Sequence, residues 1–103
     1  MANPMRGEAD IRVDGRVATL RLTLGALAEL EAALGAGSLL DLVERVEQGR
    51  LSARDVAAVL AAGFRGAGRA EDAERVGEMS FEGGAAGAAE GAVRLLRAAF
   101  TGR

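Results

Sequence analysis

Apolar and polar positions alternate along ADIRV and again along RVATLRL, and the two runs are separated by Asp14-Gly15. Alternation predicts half-buried strands, and a two-residue Asp-Gly linker is the favoured loop of a tight hairpin. That turn fixes the register, with Val13 facing Arg16, Ile11 facing Ala18, Ala9 facing Leu20 and Gly7 facing Leu22. One face then carries Ala9, Ile11, Val13, Ala18, Leu20 and Leu22. The other carries Glu8, Asp10, Arg12, Val17, Thr19 and Arg21, with Glu8 opposite Arg21 and Asp10 opposite Thr19. A lone hairpin is marginal in water, so its apolar face needs a cover.

The period changes at Thr23, an N-cap residue type, after which Leu24, Leu27, Leu30 and Leu34 recur at helical spacing until Gly35. Ser38 and Asp41 stand in capping-box spacing before a second stripe, Leu39, Leu42, Val43 and Val46, which Gly49 stops. Ser52 and Asp55 repeat the device for a third helix, with Leu51 and Val56 at the staple positions and a stripe of Val56, Val59, Leu60, Gly63 and Phe64. RGAGRAED then reads as a loop whose acids, Glu71 and Asp72, suit the start of a short helix through Val76 and Met79. FEGG breaks the pattern. A last helix from about Ala85 to Phe100 turns Ala88, Ala92, Leu95, Leu96 and Ala99 inward, with Gly87 and Gly91 thinning one face for close packing. The expected fold is α+β: a hairpin over residues 8–22 and four to five short helices over 24–101, in a single domain spanning 1–103. Its expected core includes Ile11, Leu20, Leu27, Leu30, Val43, Val46, Val59, Leu60 and Leu95.

Composition subtracts chemistry. The 103 residues contain no cysteine, histidine, tryptophan or tyrosine, which removes disulfides, thiolate nucleophiles, imidazole bases and the usual zinc ligands. All 13 basic residues are arginine, scattered among 15 acids for a net charge of −2. No basic stripe with stacking aromatics marks a nucleic-acid face, and without lysine there is no P-loop. GAGSLL and GAGRAE follow helices and leave the dinucleotide fingerprint incomplete, so their glycines read as helix stops. Acid pairs such as Glu29 and Glu31, or Glu71, Asp72 and Glu74, read as solvated helix faces. No catalytic, cofactor or metal site is expected. The N-terminus MANPMRGEAD lacks the apolar run of an export signal, and Glu90, Arg94 and Arg97 interrupt the Ala/Gly-rich C-terminal segment, so a cytoplasmic protein without a membrane span is expected. The three phenylalanines, Phe64, Phe81 and Phe100, read as core, with Phe81 in the FEGG break the best exception.

The ordered strings ANPMRGE, LTLGALAELEAALG, RDVAAVLAAGFRGAG and MSFEGG, followed by AVRLLRAAF, cover almost the whole chain. In that order and spacing the sequence resembles a family of small gene transfer agent and phage tail proteins, grouped with tail assembly chaperones. The resemblance implies a non-enzymatic protein that binds the tape measure and tail tube proteins during tail morphogenesis, without catalytic residues or cofactor. Two alternatives stay open. One is a structural, tube-associated tail component, although tube subunits as a class are β-rich and only residues 8–22 read as strand here. The other is a small regulatory, antitoxin-like binding module. On the contact-acting reading, the free edge of the second strand, with Arg16, Thr19 and Arg21, and the adjoining surface near Met79 and Phe81 form the expected protein-binding site. It serves tail proteins or further copies of the chain, in the cytoplasm or in the finished particle.

Overall fold

A computed structural model describes residues 2–34 and 39–101. A short 3₁₀ turn, Pro4–Arg6, leads into β1 (Glu8–Val13) and β2 (Arg16–Arg21), followed by α1 (Leu24–Ala33), α2 (Leu39–Glu47), α3 (Ala53–Gly66), α4 (Ala70–Glu74), a 3₁₀ turn at Val76–Glu78 and α5 (Gly84–Thr101).

The hairpin has the expected register: Glu8, Ala9, Asp10, Ile11, Arg12 and Val13 face Arg21, Leu20, Thr19, Ala18, Val17 and Arg16 in turn. Asp14 and Gly15 both take positive φ, 50° and 76°, which a primed turn requires and glycine adopts without a Cβ clash. All six residues of the inward face are buried. The cover they need is helical. α3 lies under β2, where a Cβ on Gly63 would reach the side chains of Leu20 and Leu95, and α5 lies under β1, where a Cβ on Gly91 would collide with the end of Ile11. Gly91 therefore supplies the thin face expected of it. Gly87 does something more local, since its missing Cβ makes room for the carbonyl of Glu82 in the turn before the helix. α1 and α4 both pack against α3. The chain thus forms a two-stranded layer on a wider helical one.

The helix boundaries follow their caps. The Thr23 hydroxyl accepts from the Ala26 N–H at 3.0 Å, starting α1 directly after β2. The Ser52–Asp55 capping box is complete, with the Ser52 Oγ accepting from the Asp55 N–H at 3.1 Å and the Asp55 carboxylate accepting from the Ser52 N–H at 3.1 Å. Ser52→Ala is expected to lose about 1 kcal/mol of stability, read as a lowered midpoint in urea with an unchanged slope. The other anticipated box, Ser38 with Asp41, and the stop at Gly35 involve positions outside the described residues.

Several sequence expectations need correction. Leu24, placed on the α1 stripe, is 84% exposed because the first residue of the helix precedes its contact with α3; Ala26 and Leu30 are the buried pair, with Leu27 and Leu34 partly covered. In α2 the fully buried residue is Leu42, whereas Val43 and Val46 are only half-buried. Val43 lies one residue round the helix from Leu42 and faces a shallow groove against Leu96 and Phe100. Phe100 is itself 46% exposed, so it, and not Phe81, is the aromatic most open to solvent. The helix expected through Val76 and Met79 divides into α4 and a separate 3₁₀ turn, after which Met79 is extended. The final helix, by contrast, lies where it is expected, with α5 extending about one residue beyond the anticipated span at each end.

Candidate functional site: an open strand edge

In a tight hairpin, every second residue turns its backbone N–H and C=O towards the partner strand, and the others turn theirs outwards. The Leu22 N–H donates to the Gly7 carbonyl at 3.0 Å, which places residues 16, 18, 20 and 22 of the second strand inward. On β1 the outward groups belong to residues 8, 10, 12 and 14.

The outer edge of β1 is closed. The Asp14 N–H donates to the Ser80 carbonyl at 2.8 Å, and the Glu82 N–H donates to the Arg12 carbonyl at 3.1 Å. The Asp14 carboxylate accepts from the Ser80 N–H at 2.9 Å, and Val13 pairs with Phe81 in an isolated antiparallel bridge. Further along, the guanidinium of Arg94 on α5 donates to the Asp10 carbonyl at 2.8 Å. Residues 80–82 act as a stub of third strand, held by the turn residue Asp14 and by an ion pair of Arg12 with Glu82 at 3.8 Å.

The outer edge of β2 is open. Among the described residues, no protein group hydrogen-bonds the outward N–H and C=O of Val17 and Thr19 or the N–H of Arg21. The Arg21 carbonyl is the exception to free access, because the backbone of Gly66, at the end of α3, lies directly against it; a Cβ on Gly66 would occupy the same space. The side chains along this edge are mixed. Val17 is 50% exposed on the outer face and Arg16 is exposed at the hairpin tip. The Thr19 hydroxyl donates to Asp10 Oδ1 at 2.6 Å, and Arg21 Nε donates to the Arg6 carbonyl at 3.1 Å.

Of the five residues expected to form one binding surface, Arg16, Thr19 and Arg21 lie on the open strand. Phe81 lies across β1, on the opposite side of the hairpin, and it and Met79 are half-buried against the core. The sealing of β1 was the feature sequence reasoning missed. Its signal is three residues, SFE, between a short helix and two glycines, too few to show a period.

The Asp10–Thr19 bond also ties the two strands across their outer face. The Thr19 hydroxyl, assisted by the Ala2 N–H at 3.3 Å and by the charge of Arg94, holds the Asp10 carboxyl below its ordinary value. A carboxylate depressed on folding stabilises the native state above its unfolded pKa and loses that contribution as pH falls through the folded value. Stability is therefore expected to fall on acidification below about pH 4, and less steeply in Asp10→Asn, as read from thermal melts between pH 7 and pH 3.

Elsewhere the surface offers little chemistry. Among the described residues, no group of three or more acids could hold a metal ion, and no helix is long and apolar enough to cross a membrane. The groove between α2 and α5, of about 450 Å³, is lined by Val46, Leu51, Val93, Glu90 and Arg97, with no serine, threonine or cysteine among its lining residues.

Compared with models of protein families, residues 6–102 match the family described as phage tail tube protein, GTA-gp10. No curated protein and no solved structure shows a significant match.

Proposed function

Because the chain belongs to the family described as phage tail tube protein, GTA-gp10, across residues 6–102, we propose that it is a structural, tube-associated component of a phage or gene transfer agent tail, working by protein contact and not by catalysis. The observation that carries this reading is the asymmetry of the hairpin: one edge is sealed by the chain's own residues 80–82, and the other is left open by the described residues. Unpaired strand edges attract further strands, and proteins that do not use them generally block them with proline, bulges or inward charge. β2 has a regular ladder and no proline. Arg16, Thr19 and Arg21 flank and centre the contact, whereas Met79 and Phe81 serve it indirectly by closing the other side. The partners are other tail proteins, the tail tube protein foremost, and the protein passes from the cytoplasm into the particle with them.

A second reading is an assembly chaperone that binds the tape measure protein and tube subunits and then leaves. The two-stranded sheet favours it, since tube subunits as a class are β-rich. Quantitative mass spectrometry of purified particles separates the two. Stoichiometric presence with the tube subunits is the expected result; absence from particles whose assembly needs the gene would replace the structural reading by the chaperone.

A further inference from the structure

The open edge also carries information about what it binds. We propose that β2 takes an isolated, extended peptide segment of acidic character as its next strand, and not the same edge of a second copy of this chain. The inference rests on the contact-acting reading above only for the source of the segment; the edge chemistry stands without it.

The backbone defines the length. Val17 and Thr19 offer complete outward pairs and Arg21 offers its N–H, but Gly66 closes the Arg21 carbonyl. An added strand therefore bonds across Val17 to Thr19 and ends beside Arg21. The side chains define the charge. Residues 16–22 contain two arginines and no acid; Arg16, exposed at the tip on the inner face, is the freer charge, because Arg21 on the outer face faces Glu8 and gives its Nε to the Arg6 carbonyl. Between them Val17, half-exposed, offers an apolar spot on the outer face. The complementary segment has an acid at each end and a β-branched or apolar residue beside Val17. Opposite charges across neighbouring strands are favourable and like charges are not.

The helical layer decides against a second copy. Paired strands are about 4.8 Å apart, whereas packed helices need 8–10 Å between their axes. α5 packs on β1, α3 on β2, and α1 on α3 without comparable contact to the strands or to α5; helices at that spacing make a layer wider than two strands, and the position of α1 puts its overhang on the β2 side. Two copies joined β2 to β2 in antiparallel fashion bring both floors to the same side of the sheet, where the two α3 helices claim one space. A single peptide strand has no floor of its own and lies over the projecting one.

The test uses the full chain, isotopically labelled, with the blocked peptide acetyl-Glu-Val-Thr-Val-Thr-Glu-amide and its counterpart with arginine at both ends. The acidic peptide is expected to slow amide exchange at Val17 and Thr19 in a saturable way, and the basic peptide to bind at least about tenfold more weakly. Arg16→Glu combined with Arg21→Glu should reverse that preference. Thr19→Pro, whose lost N–H faces outwards and serves no ladder bond, should abolish binding; should that variant fail to fold, the charge reversal decides alone. Unchanged exchange at Val17 and Thr19 with millimolar acidic peptide, equal binding of the two peptides, or undiminished binding by folded Thr19→Pro would each overturn the proposal. So would protection of the same amides that grows with protein concentration in the absence of peptide, which is the signature of a second copy. These measurements on the isolated chain are independent of whether it is found in particles.

Discussion

Phe64→Ala is expected to destabilise the domain by about 3–5 kcal/mol, the largest loss from a single truncation in this chain. Phe64 is fully buried on α3 with the Arg69 guanidinium 5.4 Å from its ring centroid, so truncation removes apolar burial, opens a cavity and takes away a cation–π contact. The backbone around it resists collapse. Its carbonyl accepts from the N–H groups of Ala67 and Arg69, and the neighbouring Gly66 is pressed against β2. Against a total stability of about 5–15 kcal/mol, such a loss leaves little. Urea unfolding followed by circular dichroism checks it, and a loss below about 2 kcal/mol would mean that α3 and β2 close over the gap.

Leu60→Ala, one turn earlier on the same face, is expected to cost about 2–4 kcal/mol. Leu60 is also fully buried, but it borders an indentation shared with Met79, Phe81 and Ala88. Met79 is unbranched and Phe81 is only half-buried, so this site can relax where the one at Phe64 cannot. The ranking is the informative part: Phe64→Ala should exceed Leu60→Ala in the same denaturant series. Leu60→Met, which keeps the volume, should cost less than about 1.5 kcal/mol. A loss for Leu60→Ala below about 1 kcal/mol would contradict its place in the core.

Local chemistry explains how far the sequence alone could be read. The hairpin was legible because Asp14-Gly15 sets the register and the alternation then has one solution. The start of α3 was legible because Ser52 and Asp55 satisfy each other's backbone groups without help from elsewhere. Leu24 was misplaced because helical spacing says which residues share a face, not where along the helix the neighbouring element begins. Val43 was misplaced for a related reason, since a helix flanked on one side buries a narrower stripe than its apolar residues suggest. The candidate site divides in the same way. That β2 has an edge follows from the hairpin; that β1 does not follows from residues 80–82 returning across more than half the chain, a contact with no periodic trace. The role of Gly66 was also hidden, because a glycine at the end of a helix reads as a stop whether or not a carbonyl lies against it.

The return of the chain's last helix beneath its first strand has a consequence for synthesis. Ile11 is made early, yet the surface that receives it, around Gly91 and Leu95, belongs to α5. At roughly 5–20 residues per second, the hairpin waits on the order of several seconds on the ribosome with its apolar face uncovered. A two-stranded unit cannot hold itself together for that time in water, so the native pairing is set late, when α3 and α5 have both emerged. Pausing translation between α3 and α5 should therefore lengthen the protease-sensitive interval of the nascent chain, and pausing before α1 should leave it little changed.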